Sequence, residues 1–177
     1  TVGGGRNSYV YAPHNTMSGG SYNYIYAYGA TIIGGYGTSA YGYISANGGG
    51  QYTRSMGEET TVGGGHYNWA SSDWATVNGG QYNYCAGYHS SINGGYSNGL
   101  YASHCHIGGG QSNYLYSPHT TINGGYNNIG YAYSSGIGGG YANRAYGSWS
   151  TIRGGYNNLV YNTWGTISGG YNNWNYG

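Results

Sequence analysis

The chain is 177 residues long, 40 of them Gly and 27 Tyr, with four Arg, no Lys and three acidic residues. An ordinary globular domain carries about a quarter charged residues and many more large aliphatics, so no thick globular core is expected here. The lack of a basic patch argues against nucleic-acid binding, because nothing neutralises a run of phosphates, and no apolar run approaches the ~18–20 residues of a helical membrane span.

High Gly with low charge is also the composition of a disordered chain, and periodicity decides between the two. Cut every 15 residues from Thr1, the sequence gives eleven full repeats and a last one of twelve residues, without insertion or deletion. Positions 4 and 5 of the repeat are Gly-Gly in all twelve, among them Gly4-Gly5, Gly64-Gly65, Gly124-Gly125 and Gly169-Gly170. Position 1 is Thr in eight repeats, and position 2 is Val, Ile or Met in eleven, Asn47 being the exception. Position 8 is Asn in nine, and position 11 is Tyr in nine. Flexibility needs no phase. A coil stacked on its neighbour does, because one slip exposes every inward side chain. The chain therefore reads as one repeat domain over residues 1–177: an all-β, parallel β-solenoid (a β-roll or β-helix) of twelve 15-residue coils.

Along each coil, Thr-Ile at positions 1–2 is expected on a strand, with position 2 inward. Gly-Gly follows as a bend where φ is free to be positive, and Asn at position 8 is expected to share that left-handed geometry. In register, the Asn side chains also bond to one another as a ladder. On the next strand, position 10 (Val10, Ile25, Leu100 and Leu115 among others) and the small position 12 point inward by alternation. Positions 9, 11 and 13 then point outward, and these are the aromatic ones. Each buried aliphatic contributes ~1.5–3 kcal/mol at most, so a coil depends on its neighbours. At ~4.8 Å per coil the stack makes a rod of roughly 55–60 Å.

From the N-terminus, the outward column begins with Tyr11, Tyr26 and Tyr41. The fourth repeat is the least regular, with Asn47 at the aliphatic position and Met56 in place of Tyr. All the acids follow closely: Glu58 and Asp73 share position 13 of adjacent repeats, with Glu59 beside Glu58. These three are the candidate calcium ligands, and Arg54 in the same repeat is their other available counter-charge. Cys85 and Cys105 fall at different positions, so stacking brings no disulfide together. His89, His104 and His119 share position 14 of successive repeats, with His106 close by in sequence. Imidazoles on one flat column splay outward, and Trp74, Trp149 and Trp164 take the same position elsewhere, so the column favours rings rather than a metal. The Tyr column resumes at Tyr101 and continues through Tyr116, Tyr131, Tyr146 and Tyr161 to Tyr176. Such a strip stiffens the rod, packs against a neighbouring chain, or stacks on sugars. No motif orders Ser, His and Asp for catalysis and no long loops are present, so no enzymatic activity is expected.

The segments T-V-G-G-G (Thr1–Gly5), T-I-N-G-G-Y-N-N (Thr121–Asn128) and T-I-S-G-G-Y-N-N (Thr166–Asn173) resemble the short repeats of bacterial surface β-rolls. They are similar in particular to the head repeats of trimeric autotransporter adhesins, and the resemblance covers the whole chain. The resemblance implies a narrow, left-handed parallel β-roll that associates as a trimer at the cell surface and binds host matrix or other cells. The chain departs from that pattern in carrying small-Tyr-small where such repeats carry Ala-Ser-Gly after the Asn.

The first and last repeats carry no polar cap, so caps are expected outside this segment or the ends stack on other copies. The function expected is that of a structural or adhesive extracellular element: part of a fibre, stalk or adhesin head at the cell surface. Its expected partners are other copies of itself, as filament or homotrimer, and glycans. Two other readings stand beside it. An ice-binding β-solenoid would use the Thr column, although position 3 beside that column is irregular. A carbohydrate-binding repeat module would use the Tyr strip.

Overall fold

The computed structural model describes residues 1–177 and contains strands and turns but no helix, so no helix is present to cross a membrane. Twenty-three two-residue strands alternate between two sheets. Strands β1 (Tyr9–Val10), β3 (Tyr24–Ile25) and every second one to β23 (Trp174–Asn175) form a 12-stranded sheet. Strands β2 (Thr16–Met17), β4 (Thr31–Ile32) and onward to β22 (Thr166–Ile167) form an 11-stranded sheet. Every pairing is parallel and joins residues one repeat apart, as Tyr84 to Gly99 and Val77 to Ile92. Single-residue bridges at position 6, from Arg6–Ser21 to Tyr156–Tyr171, add a third ladder along the Gly-Gly edge. The architecture is the parallel β-solenoid that the 15-residue period predicts.

The corners of the coil are set by left-handed residues at positions 7 and 14, in every coil that contains them. Most are not glycine: Tyr52 has φ 55°, Ile44 51° and Trp164 63°. The left-handed site expected at the Asn of position 8 thus lies one residue earlier. The Asn is instead turned inward and buried, because its amide has work to do there. Asn83 accepts nothing from solvent: its backbone N–H donates to Asn68 Oδ1 (3.0 Å), and its Nδ2 donates to the carbonyls of Gly79 and Gly95 (3.0 Å each). The same pattern repeats at Asn98, Asn113, Asn128, Asn143 and Asn158. The ladder foreseen from stacking therefore exists, and it also gives the first Gly carbonyl of the bend a donor and adds a second donor to the other, which already accepts a backbone N–H from the preceding coil, as Gly95 does from Gln81.

Each corner is followed by the same sequence of directions: in, out, in, out. Positions 8 to 11 and positions 15, 1, 2 and 3 obey it alike, so the coil is two half-turns placed back to back. Positions 2, 8, 10 and 15 make the interior, as seen at Ile92, Asn98, Leu100 and Cys105. Position 15 is thus an interior column that alternation along a single strand does not reveal. Position 12, expected inside, is buried at Gly87 and Ala132 but only half-buried at Ala27 and Ser117, because it begins the turn. Cys85 and Cys105 are free and buried. Burial pushes the Cys85 thiol up to about 12 and raises that of Cys105.

Candidate functional site

Two broad faces and two edges follow from this coil. The 11-stranded sheet presents positions 1 and 3. Its Thr column (Thr16, Thr31, Thr61, Thr76, Thr121, Thr151 and Thr166) is interrupted by Ala46, Ser91, His106 and Gly136. The 12-stranded sheet presents positions 9 and 11, and here the Tyr column stands.

Because the register is constant, side chains at one position lie one strand spacing apart, a distance that suits offset stacking of aromatic rings. Tyr11, Tyr26 and Tyr41 stack at 5.0 and 4.7 Å between centroids. After a gap at Met56, Ser71 and Ala86, the column resumes. Tyr101, Tyr116, Tyr131, Tyr146, Tyr161 and Tyr176 follow at 5.2, 5.4, 4.8, 4.9 and 4.9 Å, with interplanar angles from 3° to 12°. All nine predicted ladder residues are exposed and all fall into one of these two runs. The stacked rings cover one another's faces and turn their edges and hydroxyls to solvent. Partial desolvation, reinforced by neighbouring hydroxyls, raises the phenol pKa at Tyr26, Tyr101 and Tyr116; at Tyr146 the same effects outweigh the opposing pull of Arg144.

Two further columns escape a reading of positions 9, 11 and 13 as the outward aromatic ones. Tyr126, Tyr141, Tyr156 and Tyr171 stack at 5.0, 4.7 and 4.9 Å at position 6. Tyr52, Tyr67 and Tyr82 stack at 4.9 and 5.3 Å at position 7. Their signal in the sequence is the same 15-residue offset. Position 7 is the left-handed corner, so its rings rise beside the 12-stranded face rather than pointing away from it, and they line grooves with residues of position 9.

On the opposite edge, Trp74, His89, His104 and His119 form one continuous stack at 4.7, 5.7 and 5.0 Å. Parallel imidazoles direct their ring nitrogens side by side, not toward a common point. His106 lies apart from them, on the 11-stranded face, where its Nδ1 is 2.9 Å from the Ser91 hydroxyl. Two of the three candidate calcium ligands, Asp73 and Glu59, accept from protein donors. The backbone N–H of Glu58 donates to Asp73 at 2.8 Å, and the Trp74 indole N–H donates to Glu59 at 3.2 Å. No group of three or more His, Cys, Asp or Glu side chains converges anywhere in the chain. Each of Gly5, Gly65 and Gly125 has a positive φ and the next coil's carbonyl pressed against the place of a Cβ, so the second Gly of the bend is structural. No protein-family model and no curated protein matches this chain.

Proposed function

We propose that this chain is a structural and adhesive element, a stiff rod that belongs to an extracellular or cell-surface fibre, stalk or adhesin head. The observation that carries the reading is the unbroken run of six stacked tyrosines from Tyr101 to Tyr176 on one flat face. Stacking fixes these rings before any partner arrives, so little side-chain entropy remains to be lost on contact. Their edges are apolar and their hydroxyls offer hydrogen bonds at the coil spacing, which suits the same face of a second copy. A continuous aromatic strip of this length is unusual on the surface of a protein that works alone. The register also favours self-association, because any copy carries a strip of the same period and two strips match along their whole length. In this reading the partners are other copies, as a homotrimer or filament, joined laterally through coils seven to twelve.

Sedimentation and electron microscopy of the purified chain at micromolar concentration test the reading. The wild type is expected as discrete lateral oligomers or bundled filaments. The triple variant Tyr116→Ser, Tyr131→Ser, Tyr146→Ser is expected as single rods with unchanged circular dichroism. A wild-type chain that stays monomeric throughout that range removes the proposal.

A further inference from the structure

The Tyr column fails over three coils, at Met56, Ser71 and Ala86, and the face opens into two clefts there and just before it. One, of about 300 Å³, is lined by Tyr67, Trp69, Tyr82, Asn83 and Tyr84. The other, of about 360 Å³, lies toward the N-terminus. Its floor is low because Gly37 and Ser39 stand where the preceding coil carries Tyr22 and Tyr24, and those rings form its wall. Arg54 joins the two: it lines the second cleft, and its guanidinium lies over the Trp69 ring at 4.7 Å.

Ring orientation changes at the break. In the unbroken column every face is covered by the next ring. At the break Trp69 and Tyr84 cross at 74°, and Tyr84 leans at 52° to Tyr101, where the column resumes. The Ser71 hydroxyl donates to the Tyr84 hydroxyl at 3.2 Å and holds that tilt. Crossed in this way, Trp69 and Tyr84 do not cover one another as parallel rings do, and both line the cleft beside the Trp69 face that Arg54 covers.

We propose that these clefts form a binding groove for an acidic glycan, a chain of pyranose rings bearing carboxylates. The C–H face of a pyranose packs on an open aromatic face, and its hydroxyl edge needs the hydrogen-bonding groups that the Tyr hydroxyls around the clefts supply. Arg54 is the one charged residue of the groove, placed between the clefts, and a guanidinium receives a carboxylate in bidentate fashion. Its stacking on Trp69 orients it in advance. The chain's three carboxylates belong to the turn at positions 13 and 14 and line neither cleft, so the groove's charge complements an anionic ligand. The inference rests on the reading of this face as the adhesive one, but it uses coils two to six, whereas lateral association uses coils seven to twelve.

Calorimetric titration of the full chain with tetragalacturonate tests it, with cellotetraose and decaproline as comparison ligands. Saturable binding is expected for tetragalacturonate, weakened at least about tenfold by Arg54→Gln and by added salt. Trp69→Ala is expected to abolish it, and Trp164→Ala on the opposite edge to leave it unchanged. Should Trp69→Ala fail to fold, Arg54→Gln and Tyr84→Ser decide the matter. Absence of tetragalacturonate binding overturns the proposal. So does equal binding of cellotetraose with no effect of Arg54→Gln, or binding of decaproline alone. Sedimentation of the Arg54→Gln chain separates the two hypotheses: its assembly is expected to match wild type, whatever the lateral interface proves to be.

Discussion

Gly79 and Gly80 sit side by side in the same bend under different constraints. Gly80 has φ +85°, and a Cβ there would lie 2.2 Å from the carbonyl oxygen of Gly95 in the next coil. Gly79 lies outside the left-handed region, and a Cβ there would meet nothing within 4 Å. Gly80→Ala is therefore expected to cost about 2 kcal/mol or more, from left-handed strain and a clash with backbone that cannot move alone. Gly79→Ala is expected to be neutral or to stabilise by about 0.5 kcal/mol, through the unfolded chain. Urea unfolding of the two variants checks this, and equal midpoints would contradict it. The Gly-Gly pair is uniform in sequence, and its two members here are told apart by backbone angle and by the approach of the next coil. Ile44 makes the converse point: a β-branched residue at φ 51° is held left-handed by its place in the stack.

At the scale of the coil, the interior is not uniform. The apolar core divides into a cluster from Met17 to Ala40, a larger one from Val62 to Ala145, and a small one from Ile152 to Ile167. The first division falls at the fourth coil, where Asn47 and Ser55 replace apolar residues and Thr53 replaces the ladder Asn. Asn47 Nδ2 and Ser55 Oγ are buried there without a hydrogen-bond partner, as is Ser45 Oγ at the end of the third coil. Asn47 Oδ1 partly compensates by accepting from Thr53 Oγ1 at 2.9 Å and from the Gly49 N–H at 3.2 Å. Each orphaned group costs about 1–3 kcal/mol, so this coil is the expected weak point of the stack. Amide exchange is expected to be faster in the fourth coil than in coils seven to nine. The variant Asn47→Val, Thr53→Asn, Ser55→Ala, which restores the pattern of the other coils, is expected to slow that exchange and to stabilise the chain by about 1–3 kcal/mol. Uniform exchange along the rod would show that the orphaned groups are satisfied in some other way.

The whole molecule is a one-dimensional stack with almost no charge, and its response to alkaline pH depends on groups whose neutral form desolvation favours. Cys85 holds its proton up to about 12, and Tyr26, Tyr101, Tyr116 and Tyr146 are raised above the ordinary phenol value of 10.0. Each pKa is higher in the folded chain than in the unfolded one. Folding therefore binds these protons more tightly, and stability is full below the unfolded thiol value of 9.0 and falls as pH rises toward about 12. The melting temperature is expected to decline over that window, less steeply in a Cys85→Ala chain. A melting temperature that rises above pH 10 would contradict the assignment. Alkaline loosening would also release the Tyr stack, since ionised phenols one strand spacing apart repel each other.

The period, the register, the parallel solenoid and the nine tyrosines of the outward column are all legible along the chain. The reason is that stacking is a one-dimensional constraint: a 15-residue repeat without insertion leaves one phase in which Ile107 meets Ile122 and Tyr131 meets Tyr146. Everything that depends on where the coil turns, by contrast, emerges only in three dimensions. The corners fall at positions 7 and 14, which hold Tyr, Trp, His and Ser as readily as Asn, so residue type gave no sign of them. That placement buries the Asn of position 8 and the small residue of position 15, and it raises the rings of Tyr67 and Tyr82 beside the face of Trp69 and Tyr84. The opening of the Tyr column at Met56, Ser71 and Ala86 was legible as three missing rings. That neighbouring rings cross there instead of closing the gap is a matter of packing in three dimensions, and no count along the chain contains it.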